Sequence, residues 1–193
     1  MKWFYDLKIS TKLISSFRVV LALTAAMGGF AIVQLGAVNQ AAQDIRGNWM
    51  PSMRAAAAMR FFAANYRLKE NRHVGTEIVE GKALAEREAA DARQQFEARM
   101  GTYEQLLSNE EDRQLLASVK SAWASYLATS KQLLDLSRQN QEAQARGLLT
   151  GESKDHFDQV TDRLQKMVEL NDAGATIAGD KGPTLYESAR LSI

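Results

Sequence analysis

The sequence predicts an all-α protein: an up-down-up-down antiparallel four-helix bundle, preceded by one transmembrane helix continuous with its first helix. Three observations carry this expectation. Only 2 of 193 residues are proline, while 29 are alanine, and Ala, Leu, Glu, Gln, Lys and Arg are the good helix formers. Residues 19–43 form a run of 25 without a charged side chain. After that run, four stretches repeat apolar residues every three or four positions, the period of one helix face.

The uncharged run comes first in the chain. About 20 residues at 1.5 Å each match the roughly 30 Å hydrocarbon thickness of a bilayer. Before it stand Lys2, Lys8, Lys12 and Arg18 against Asp6 alone. A basic flank stays on the cytoplasmic side, which sends the following residues outwards. The run is longer than a signal-peptide core, and no A-x-A-like cleavage site follows it. The expected division is a cytoplasmic segment (1–18), a membrane helix (19–40), an outer helical bundle (41–180) and a segment leading towards an absent second span (181–193).

The first bundle helix is expected to continue from the span with Met50, Met53, Ala57, Phe61, Ala64 and Leu68 on its inner face. Pro51 is a candidate kink. Gly75 and Gly81 bracket the first break. A second pattern runs Ala85, Ala89, Phe96, Met100, Tyr103 and Leu107, and ends at Ser108-Asn109-Glu110-Glu111, a helix-start signature. The third, Leu116, Val119, Trp123, Tyr126, Ser130, Leu133 and Ser137, is expected to continue unbroken to Leu148. Residues 150–153 break it. The fourth reads Phe157, Val160, Leu164, Met167 or Val168, Asn171, Ala175 and Ala178, with Gly179, Gly182 and Pro183 expected to interrupt it. Antiparallel packing would bring residues 67–74 close to residues 153–161.

Composition excludes much. There is no cysteine, so thiolate catalysis, thiolate zinc sites and iron–sulfur clusters are out. A net charge of +1 from 24 basic and 23 acidic residues argues against a nucleic-acid binder. Residues 44–193 alone hold 20 basic and 22 acidic residues, a mixed-charge surface. No nucleophile elbow, P-loop or dinucleotide fingerprint is present. No enzyme and no cofactor is expected. Glu70-Asn71-Arg72-His73 is an E-x-x-H match, but di-iron bundles need a second copy, and His156 has its glutamate, Glu152, four residues before it; no metal is expected. Glu86, Glu88 and Asp91 alternating with Arg87 and Arg93 read as a wet helix face. Ser130, Ser137 and Asn171 place polar groups on apolar stripes, to line a cavity or be satisfied by water.

The segment LKISTKL at residues 7–13, directly before a membrane helix, resembles the start of bacterial methyl-accepting chemotaxis receptors. The four-helix pattern after it resembles their periplasmic ligand-binding domain, which some sensor kinases share. The resemblance implies a bundle that dimerises and binds a small ligand at its membrane-distal end. The aspartate and serine branch uses arginines of the first helix and a Phe-x-Gln-x-Thr stretch at the start of the fourth. Phe157, Gln159 and Thr161 match that stretch. Arg67 and Arg72 match the first arginine interval, while Thr76 stands where the third arginine would be; His73 is a possible extra donor. Arginine suits the role because its planar fork donates two parallel hydrogen bonds to a carboxylate.

The reading from sequence is therefore a chemoreceptor sensor domain for a small organic acid, a di- or tricarboxylate first and an amino acid next. The expected ligand residues are Arg67, Arg72, Phe157, Gln159 and Thr161, with His73 and His156 as weaker candidates. Expected partners are an anionic carboxylate ligand, a second copy in a homodimer or other homo-oligomer, and the bacterial inner membrane, with the bundle in the periplasm. A chemotaxis kinase and adaptor would be reached only through cytoplasmic regions absent from this sequence. Two alternatives are the input domain of a membrane sensor kinase and a membrane-anchored structural bundle without a small ligand.

Overall fold

The computed structural model describes residues 8–191, with side chains described as far as residue 182. The helices are α1 (Ile9–Asp44), α2 (Met50–Gly75), α3 (Val79–Glu104), α4 (Glu110–Arg138), α5 (Glu142–Thr150) and α6 (Glu152–Leu191). No strand occurs among the described residues. Asp44–Ile177 form one compact unit, and the described residues on either side form another.

Helix α1 carries apolar side chains all round, and its apolar stretch is exposed in the isolated chain. It is long and apolar enough to cross a membrane once. A π-helical turn, Ile45–Trp49, joins α1 to α2, so the helix runs on without a break to Gly75. Pro51 lies in the first turn of α2. A proline there lacks an N–H and crowds the carbonyl four residues earlier. The irregularity is therefore a wider turn in the preceding residues, and the helix does not end.

Helices α2, α3, α4 and α6 form the bundle. Residues 76–78 and 105–109 make the first two reversals, short enough to impose antiparallel neighbours. The start of α4 is capped as its residues dictate. The Asn109 side chain accepts the Asp112 N–H at 2.9 Å, and Glu110, Glu111 and Asp112 sit in the first turn, where the helix dipole favours acids.

The core is aromatic at its centre. Trp123 of α4 stacks on Phe96 of α3 with ring centroids 4.0 Å apart, and meets Tyr66 of α2 edge-on at 5.6 Å. Val160, Leu164 and Met167 of α6 close the cluster. A smaller cluster joins Val74, Leu133, Ala145 and Leu149, which docks α5 over the end of the bundle where α2 stops.

Three expectations are corrected. The third pattern is two helices. Asn140 takes a left-handed conformation, φ 56°, which asparagine tolerates better than most residues, and α4 gives way to α5. The fourth helix is not interrupted: its backbone stays helical through Gly179, Gly182 and Pro183 to Leu191, since a glycine weakens a helix by about 1 kcal/mol without stopping it. The apolar stripe of α2 faces outwards. Phe61 and Leu68 are 62% and 59% exposed, while Ala55, Ala56, Met59, Ala63, Tyr66, Glu70, His73 and Val74 face the core. Periodicity reveals a face but not its direction, and α2 has two.

Candidate functional site

Ser130 and Ser137 on the apolar stripes are satisfied by protein partners, while Asn171 keeps one unpartnered atom, Oδ1. Each is bonded to a side chain of another helix. Ser130 of α4 shares a hydrogen bond with the Tyr66 hydroxyl at 2.7 Å, Ser137 meets His73 Nδ1 at 3.0 Å, and Asn171 Nδ2 donates to the Tyr103 hydroxyl at 2.6 Å. Buried polar groups are costly unless paired, and these pairs fix which helices meet.

One cluster joins the end of the bundle roofed by α5. Glu70 of α2 is fully buried and points into the core. The Tyr126 hydroxyl of α4 donates to its Oε2. Arg67, one turn earlier on α2, holds a guanidinium nitrogen 4.0 Å from the same oxygen. Oε1 has no hydrogen-bond partner. Burial raises the Glu70 carboxyl above its usual range; hydrogen bonds from Ser130 and Tyr126 and the charge of Arg67 oppose the rise. The Tyr126 and Tyr66 phenols are pushed up as well, by burial first.

Arg67 ties this cluster to the turn between α5 and α6. Its guanidinium donates to the Leu149 carbonyl at 2.8 Å and to the Ser153 hydroxyl at 3.1 Å. It also lies over the Phe157 ring, 5.0 Å from the centroid, a cation–π geometry. His156 joins from α6, with Nδ1 2.8 Å from the Thr129 hydroxyl. Arg67, Phe157 and His156 thus come together as the antiparallel topology requires.

The other expected site residues lie elsewhere. Arg72 faces α3, 3.2 Å from Glu88, which also takes Lys69 at 2.9 Å. His73 is buried between Ser137 and Glu86, and burial lowers its pKa. Gln159 is exposed and accepts from Arg163, and the Thr161 hydroxyl donates to the Asp158 carbonyl; both are engaged within α6. The supposed wet face of α3 is partly a seam. Arg138 and His73 both meet Glu86 at 2.8 Å, and hydrogen bonding by Arg138 lowers its pKa.

Sequence reasoning missed Glu70 as the centre of the cluster. The signal was available: Tyr66, Glu70 and His73 follow one another at four and three residues, one helix face. Tyr126 fell on the α4 stripe but read as plain core, and Ser130 read as a group lining a cavity or satisfied by water.

A long apolar helix leading into a four-helix bundle, closed by polar pairs between helices, is the arrangement against which known proteins can be compared. Residues 6–186 match the family described as a four helix bundle sensory module for signal transduction. The chain belongs to that family. Among curated proteins, it is 18% identical over 185 residues to "Putative sensory transducer protein YvaQ" of Bacillus subtilis (strain 168). That match covers 96% of this chain and 32% of the relative, so the chain spans about a third of the length of that protein. No solved structure matches the chain at a significant level. The module is a sensory signal-transduction domain of chemoreceptor type, not one of an enzymatic family. Its long apolar helix near the N-terminus is consistent with a single membrane span.

Proposed function

We propose that the module senses a small organic acid, a di- or tricarboxylate before an amino acid, at the α2–α6 end of the bundle roofed by α5. The observation that carries this reading is the charge of α2. It holds Arg54, Arg60, Arg67, Lys69 and Arg72 against a single acid, Glu70, which is turned into the core. The charged surface side chains of this helix are therefore all cationic, with Lys69 and Arg72 sharing the single carboxylate of Glu88, and an anion is the ligand that such a surface attracts. The N-terminal turn of α6, beside Arg67, adds the positive end of a helix dipole.

The outward stripe of α2 supports a homodimer. Met50, Arg54, Ala57, Phe61, Ala64 and Leu68 follow a four-three repeat, the spacing of a coiled-coil seam. Arg72 lies four residues beyond Leu68, beside the end of that stripe. Two copies meeting there would bring their arginines together, and a shared carboxylate would relieve the repulsion. In this reading the bundle stands in the periplasm, anchored by α1 in the inner membrane. A bound acid displaces α6 relative to α2, and regions beyond this sequence pass that displacement to a chemotaxis kinase and adaptor.

Calorimetric titration of the chain in detergent micelles with succinate, citrate and aspartate tests this. At least one acid should bind, and Arg72→Ala should weaken it by about 1.5–3 kcal/mol, the range for charge-assisted hydrogen bonds. Equal affinity in the variant would remove Arg72 from the site. No heat with any acid would remove the ligand class.

A further inference from the structure

Buried Glu70 and half-buried Arg67 of α2 are coupled in a way that bears on any anion arriving at this end. Arg67 is the cation beside Glu70, with a guanidinium nitrogen at 4.0 Å, and its own side chain is only 15% exposed. Glu70 has no solvent to share its charge, and one of its oxygens has no partner. Arg67 is the cation whose charge acts on the Glu70 carboxyl, and Lys154 of α6 feels the charge of Arg67 in turn. From α2 come Arg67 and the Tyr66 phenol, and from α4 the Tyr126 phenol and the Ser130 hydroxyl. From α6 come Ser153, held by Arg67, and His156, turned to Thr129. From α5 comes the Leu149 carbonyl, also held by Arg67. From α3 the charge felt in the cluster is that of Arg93, acting on Tyr66. On the α3 side of α2, Lys69 and Arg72 are engaged with Glu88.

We infer that an anion binding beside Arg67 is taken up together with a proton, which goes to the Glu70 carboxylate. The inference rests on the acid-sensing reading above and specifies how that site is regulated. A carboxylate that draws on the Arg67 guanidinium, by bonding it or merely by lying near it, reduces the positive potential that favours the ionised form of Glu70. A buried carboxylate losing its counter-charge neutralises instead of staying charged. Linkage is reciprocal, so protonation of Glu70 frees Arg67 for the ligand and tightens binding. The sensor therefore responds more strongly to acids in acidic surroundings. The sign follows from charge alone: an anion drives proton uptake, and a cation would drive release.

The test is a proton inventory on the full chain in detergent micelles, with succinate and citrate as probes. Each titration is run in two buffers of different ionisation enthalpy and at several values between about pH 5 and pH 8. The probes' own protons cancel in the difference between the wild-type chain and Glu70→Gln. The expected difference is an uptake that approaches one proton per ligand at its maximum, with affinity falling as pH rises in the wild type and less steeply in the variant. Infrared difference spectra, bound minus free, give a second reading that needs no variant to fold: the wild-type chain should gain the carbonyl stretch of a protonated carboxylic acid assigned to the protein. Binding with the same uptake in both chains and no new protein carbonyl band overturns the inference and leaves the acid-sensing reading standing. Absence of binding by either probe overturns both.

Discussion

Trp123→Ala should lower the unfolding free energy by about 3–5 kcal/mol, the cost of emptying a large aromatic site in a packed core. Trp123 is 3% exposed and contacts rings of α2 and α3 as well as one of its own helix. It stacks on Phe96 and meets Tyr66 and Tyr126, each at a centroid distance of 5.6 Å. Tyr66 and Tyr126 are also the phenols around Glu70. The cavity left by alanine would therefore loosen the polar cluster along with the apolar core. Trp123→Phe should cost much less, under about 1.5 kcal/mol, because the indole Nε1 makes no hydrogen bond whose loss would matter. Urea denaturation of the chain in detergent micelles, followed by circular dichroism, measures both. Equal losses for alanine and phenylalanine would mean that the indole matters through its N–H, contrary to the packing described.

The second large effect belongs to Arg67→Met, and it depends on pH. The folded state holds the Glu70 carboxyl above its usual range, chiefly through burial. A group raised in this way contributes stability that is fully present below its unfolded value and is lost as pH rises through its folded value. Removing Arg67 removes a favourable charge, so the folded value rises further and stability is lost over a wider pH range. At acidic pH, where Glu70 is protonated in both chains, the substitution should cost only the hydrogen bonds to Leu149 and Ser153, about 1–2 kcal/mol. Towards neutral and alkaline pH the loss should grow to about 3 kcal/mol, as a buried charge is left without its partner. Adding Glu70→Gln should abolish the growth with pH. A loss that is constant across pH would show that Arg67 acts only as a hydrogen-bond clamp.

The fold was legible because the helix faces of α3, α4 and α6 are simple. All seven residues of the α4 stripe, from Leu116 to Ser137, are buried, since a face that is continuous over about six turns has nowhere else to go. Helix α2 was misread because alanine and phenylalanine occur both in a core and on an exposed face, whereas its true core face carries Tyr66, Glu70 and His73, which look polar in a sequence. Their burial is possible only because Ser130, Tyr126, Ser137 and Glu86 lie opposite them, and those pairings are distant in sequence. The turn at Asn140 was hidden for a related reason: no glycine or proline marks it. The site was half legible. Helix spacing and antiparallel topology were enough to bring Arg67 to Phe157. The turn of Arg72 towards Glu88 and the engagement of Gln159 and Thr161 within α6 depend on local partners that no spacing rule supplies.

The most direct measurement of the central claim is amide hydrogen exchange on the chain in detergent micelles, with and without saturating citrate. The account predicts slower exchange in the last turns of α2, residues 67–75, and in the first turns of α6, residues 152–161, with little change around the α3–α4 reversal at residues 103–112. Slowing confined to that reversal, or no slowing anywhere, would contradict it.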